Sequence, residues 1–74
     1  MSDEPGAGAR ERIFIIFKQA IEDERQAQVT YAEALGITED PILRDLFRTL
    51  LADERRHEEV LLRRYAEFKA KLGL

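Results

Sequence analysis

Hydrophobic and polar positions along the chain alternate with a helical rhythm, broken at one place. From about Arg10 to Leu35 there is neither Pro nor Gly, and Gly36 stands where a helix C-terminal glycine belongs. Asp40 followed by Pro41 then marks a restart, because the Asp side chain can cap free amides and Pro fits the first helical turn. A second helix is predicted from Pro41 to Leu72, ending at Gly73. In the first helix Ile13, Phe17, Ala20, Glu24, Ala27, Tyr31 and Ala34 recur at alternating steps of four and three, which aligns them in one stripe. The second carries Leu43, Phe47, Leu50, Glu54, His57, Leu61, Tyr65, Phe68 and Leu72 in nearly the same rhythm. A connection this short between long helices implies an antiparallel hairpin over residues 10–74. Residues 1–9, opening MSDEPGAG, are polar and Gly-rich and are expected to be a flexible tail.

Three polar residues interrupt the two stripes: Glu24 in the first helix, Glu54 and His57 in the second. Glu24 lies twelve positions before Gly36 and Glu54 thirteen after Pro41. At ~1.5 Å per residue both are roughly 18–20 Å from the turn, so the polar residues meet at one level. That level is close to the middle of each helix. If two hairpins pair about a two-fold axis perpendicular to the bundle, only mid-height residues meet their symmetry mates, and the dimer gathers four carboxylates and two imidazoles at its centre. Leaving such a cluster buried and ionised costs several kcal/mol per charge, on the order of the penalty known for buried ions. Two divalent cations would neutralise the four carboxylates, and oxygen with imidazole donors suits iron, manganese or zinc. The three-residue spacing of Glu54 and His57 lets both bind one ion from one helical face. Glu58, one turn beyond Glu54, adds like-charge repulsion that a cation would relieve.

Size and composition agree with an assembly. At 74 residues a lone hydrophobic core is marginal, and with no cysteine neither disulfides nor thiolate metal sites are available. Charged residues make up 36% of the chain, yet the net charge is only −3, which argues against nucleic acid as a partner. No apolar run approaches the ~20 residues that span a bilayer, and no signal-peptide pattern opens the chain, so the expectation is a soluble cytoplasmic protein with no membrane partner. Gly-rich phosphate loops, serine elbows and strand patterns are missing from the sequence. The fold class expected is all-α, a helical hairpin that dimerises into a four-helix bundle. Ile15 points away from the stripe, and Val29 lies near the same outer face, so this strip is expected to serve as a second interface in a higher homo-oligomer.

EDERQAQVTY together with DPILRDLFRTLLADERRH resembles the rubrerythrin and ferritin-like di-iron proteins: a Glu-x6-Tyr helix, an Asp-Pro helix start and a Glu-x-x-His helix, over roughly Phe17 to Tyr65. This ligand pattern is a known property of ferritin-like bundles. The resemblance implies Glu24 and Glu54 as metal carboxylates, Glu54 bridging, His57 as a terminal ligand and Tyr31 as a residue that hydrogen-bonds the ligands. It implies two iron ions per dimer and ferroxidase-type oxidation of Fe(II) with oxygen or peroxide. The chain holds one hairpin where complete bundles hold two, and it lacks a rubredoxin-type Cys-x-x-Cys site. In this it is similar to the half-bundle members, among them the encapsulated ferritins, which build the site between two chains and bring an encapsulin shell into view as a partner. Those relatives usually continue into a shell-targeting segment where this sequence reads AKLGL.

Other readings stand beside this one. Rubrerythrin-like peroxide reduction is the nearest alternative, and a zinc or manganese protein without redox turnover is another. A different class is a non-catalytic helical dimerisation module, with Glu24 as a register device and His57 as a hydrogen-bonded core histidine. Tyr31 and Tyr65 also suit packing roles, and Asp53, Glu58 and Glu59 suit solvated or Arg-paired positions, Glu59 being well spaced for Arg63 and Glu58 remaining a minor candidate for a nearby or transient metal position.

Overall fold

The computed structural model describes residues 6–74, which form two helices of equal length, α1 (Ala7–Ile37) and α2 (Pro41–Lys71). They pack as an antiparallel hairpin about 55 Å long and 18 × 16 Å across, the all-α architecture expected. Part of the predicted tail, residues 1–5, lies outside the described residues; the rest does not behave as a tail. Helix α1 starts at Ala7 rather than Arg10, because Ala7 and Ala9 are strong helix formers and Arg10 N–H already donates to the Gly6 carbonyl at 2.9 Å.

The turn is built differently from the glycine-terminated end expected at Gly36. Helix α1 continues through Gly36 to Ile37, and Thr38 N–H donates to the Ala34 carbonyl at 3.0 Å. The carbonyls left free at the helix end are taken by Arg44 of α2, whose Nη1 donates to Leu35 O and to Thr38 O at 2.9 Å. A left-handed glycine is unnecessary once a guanidinium does this work. The restart matches the sequence reading: Asp40 Oδ1 accepts from Ile42 N–H at 2.9 Å, with Pro41 in the first turn. At the far end Gly73, with φ +76°, closes α2 in a Schellman arrangement, Leu74 N–H donating to Lys69 O and Gly73 N–H to Ala70 O, both at 3.0 Å.

The seam between the helices is wider than the single stripe read from the sequence. Phe17, Glu24 and Tyr31 do face α2, but Phe14, Ile21, Gln28 and Leu35 turn inward beside them. Ile21, 7% exposed, is the one buried hydrophobic residue among those described. Phe14, Phe17, Tyr65 and Phe68 form an aromatic cluster toward the open end, with ring centroids 5.0–6.0 Å apart in the four pairs. Toward the turn Tyr31 stacks on Phe47 at 6.3 Å. Leu43 and His57 are the two stripe positions left exposed. Ile15 and Val29 are exposed as the outer-strip reading requires, Ile15 beside the exposed Ile16 and the charged Glu11 and Lys18.

One consequence is measurable at the turn. Asp40→Ala is expected to lower the unfolding free energy by about 1 kcal/mol, the usual worth of an N-cap, with Asp40→Asn costing less. Urea denaturation of metal-free protein at one fixed chain concentration checks both.

Candidate metal centre

Glu24 stands within two residues of the midpoint of α1, and Glu54 and His57 within two of the midpoint of α2. Helical periodicity sets both carboxylates on the inner line of the seam. His57, three residues after Glu54, falls beside that line at its edge. His57 Nδ1 lies 3.6 Å from Glu24 Oε2 and 3.7 Å from Glu54 Oε2, and one ligand atom from each of the three residues lies within 4.8 Å of the other two. The carboxylates are largely covered, their side chains 22% and 19% exposed, while the imidazole is 55% exposed. Within one hairpin His57 is thus not a core residue. It borders the seam and can be reached from outside.

The three side chains fit a cation better than they fit one another. Separations of 3.6–3.7 Å are too long for hydrogen bonds. Glu24 Oε2 is buried without any hydrogen-bond partner, a costly state for a carboxylate oxygen. Metal–oxygen and metal–nitrogen bonds of about 2.0–2.2 Å place neighbouring donor atoms about 3–3.5 Å apart. The observed trio, with its ligand atoms within 4.8 Å of one another, is slightly wider than that spacing. Hydrophobic rings bracket the level on both sides, with Phe17 against Tyr65 toward the open end and Tyr31 against Phe47 toward the turn.

Glu58 does not join the trio, although it follows His57 in sequence. It turns to the opposite flank, where Arg25 Nε donates to its Oε2 at 2.6 Å and Gln28 Nε2 to its Oε1 at 2.8 Å. These hydrogen bonds, Gln28's first and Arg25's second, hold the Glu58 carboxyl below the ordinary carboxylate range. The repulsion expected between Glu58 and Glu54 is answered by this partnership, the Arg-paired alternative for Glu58. Tyr31 also stays outside the trio within one hairpin, two turns from Glu24 and stacked on Phe47. Asp53 pairs with Arg56 along α2, one of the Arg-paired surface charges anticipated.

The Arg25–Gln28–Glu58 group was missed by matching residues at equal Cα height from the turn. Side chains on a helix lean toward its N-terminus. In an antiparallel pair those leans converge, so Arg25 and Glu58 meet although Glu58 sits roughly 8 Å farther from the turn by axial rise. A lean correction applied to long charged residues would have found them.

The family model described as Rubrerythrin matches residues 10–73. No curated protein and no solved structure matches the chain. Among the described residues no helix is long and apolar enough to cross a membrane.

The unpartnered Glu24 oxygen gives this site a stability signature of unusual sign. In metal-free protein Glu24→Met should raise the unfolding free energy, by about 1 kcal/mol on the scale seen when apolar residues replace buried charges. A structural salt bridge would give the reverse. The urea midpoint of the two proteins in the presence of a chelator decides between them.

Proposed function

The chain belongs to the rubrerythrin family, and we propose from this membership and from the site that it is a di-iron carboxylate protein of ferroxidase type, its metal centre completed between two copies of the hairpin. The observation that carries the reading is the clustering of Glu24, Glu54 and His57 within 4.8 Å, with a buried carboxylate oxygen that no protein group satisfies. A dimerisation module that used these residues only for register would be expected to satisfy that oxygen within the protein.

The flank that bears His57 suits a second copy. Helical periodicity places Ile16, Ala20 and Ala27 of α1 on this side, with Leu43, Leu46 and Leu50 of α2. Ile16, Leu43 and Leu46 are exposed, and the two alanines flank Glu24 with little bulk. With the trio at mid-height, a two-fold axis through this flank would bring both trios together, four carboxylates and two imidazoles in all. A paired iron centre would supply two electrons together to oxygen or peroxide. The protein's own contribution lies in its side chains. Glu24 and Glu54 would supply the anionic oxygens and His57 an imidazole nitrogen on the flank that meets the second copy, while the aromatic pairs above and below would exclude water from the remainder of the level. Tyr31, on the Glu24 stripe, would act on ligand orientation rather than on a metal directly.

Two expected outcomes test the site and the assembly. The parent should bind two Fe(II) per dimer under anaerobic conditions, and alanine at Glu24, Glu54 or His57 should abolish tight binding, read by metal analysis after gel filtration. Sedimentation should find a dimer or larger assembly, since one hairpin leaves its second flank apolar; a cooperatively folding monomer would sink the two-chain site.

A third outcome tests the chemistry. Reduced protein mixed with oxygen should consume Fe(II) faster than buffer does, His57→Ala should lose the acceleration, and Tyr31→Phe should keep the metal while changing the rate. Ferric product formed with oxygen supports the ferroxidase reading. Clear preference for hydrogen peroxide with an added electron donor would move the assignment to a peroxide reductase, and bound iron oxidised no faster than free iron would leave a structural metal site.

A further inference from the structure

The two flanks of the hairpin differ at the level of the trio. One presents His57 and small apolar residues; the other is closed by Arg25, Gln28 and Glu58. Both oxygens of Glu58 are engaged, at 2.6 and 2.8 Å, and its side chain is 19% exposed. Arg25 directly follows Glu24, and Gln28 lies one turn beyond it. Glu58 directly follows His57 and lies one turn beyond Glu54. The bonds therefore join the very turns that carry the three ligands. Away from the Arg44 contacts at the turn, the hydrogen bonds described between α1 and α2 side chains are these two.

A seam of leucine, alanine and aromatic side chains tolerates rotation and sliding, because apolar contacts are non-directional. A bidentate carboxylate held by a guanidinium and an amide is directional. One residue corresponds to 100° around a helix, so a modest roll of either helix swings Glu24 away from His57 and Glu54. Metal-free protein has an added reason to roll, since Glu24 Oε2 is buried without a partner.

We infer that Glu58, held by Arg25 and Gln28, is a positioning residue that fixes the rotation and axial register of α1 against α2, keeping Glu24 within ligand distance of Glu54 and His57 before any metal arrives. This rests on the metal-binding reading of the trio. It adds to that reading a second set of residues, on the opposite flank, whose role is preorganisation rather than coordination.

The test is titration of the metal-free 74-residue protein with Co(II), followed by its visible absorption, beside urea unfolding and sedimentation of the same samples. Glu58→Ala and Arg25→Ala should each weaken Co(II) binding about ten-fold, the lower end of what loss of a ligand-supporting partner costs, with helix content and assembly mass unchanged. Glu58→Gln, which keeps shape and one acceptor, should fall between parent and Glu58→Ala, and serves if the alanine variant dissociates. Exchanging the charges, Arg25→Glu together with Glu58→Arg, should recover most of the lost affinity. A pair that merely stabilised the fold would lower the urea midpoint and leave Co(II) affinity within about two-fold of the parent, because the unfolded fraction stays negligible below the transition. That result, or a charge-exchanged protein as weak as the single variants, overturns the inference while leaving the metal site standing. A parent that binds no Co(II) overturns the metal-binding reading and this inference with it.

Discussion

A carboxylate oxygen with no partner, buried halfway along an otherwise apolar seam, is the constraint around which this hairpin is organised. Elsewhere along the seam the aromatic residues and Ile21 face inward, and Asp40 and Gly73 close the two ends of α2. At mid-height that pattern is broken by Glu24 and Glu54 together. A seam that small has little hydrophobic energy to spare, since Ile21 is the one buried apolar residue described and even it is 7% exposed. Mid-helix polar residues in such a setting are tolerated when something outside the hairpin completes them. A cation is the completion that the donor set fits.

The same level explains why the flanks are unlike. If both carried ion pairs, the hairpin would be a self-sufficient rod with a frustrated centre. If both were apolar, two docking modes would compete and the trio would face its symmetry mate in only one of them. With Arg25, Gln28 and Glu58 closing one side at the level of the trio, the flank left open at that level is the one that exposes His57. On the two-chain reading, polar closure would select between docking modes by making the wrong one costly to desolvate.

Sequence periodicity carried most of the fold because both helices have a strong, uninterrupted rhythm and a strong restart at Asp40-Pro41. It misplaced the end of α1 because the carbonyls of that end are satisfied by a side chain of the second helix, Arg44, nine residues beyond Leu35 and six beyond Thr38, and glycine rules applied to α1 alone cannot see this. The trio was legible because its members break an apolar stripe, which is a large signal. Glu58 was not, because a Glu among Arg and Glu on a solvated helix breaks nothing. Its significance depends on which flank it faces and on where two leaning side chains converge, quantities that exist only once the helices are packed.

On the two-chain reading, association and metal loading are one equilibrium seen from two sides. Any ion that binds the paired trios better than the separate ones stabilises the dimer by the same free energy with which dimerisation sharpens ion binding. The magnitude depends on how far the site is formed in advance. A hairpin free to roll would spend part of the binding energy on ordering the seam; one whose register is already fixed passes more of that energy to association. The hydrogen-bonded flank and the ligand flank are coupled through the rigid turns they share, so a defect on the side without ligands should reach the metal through geometry alone.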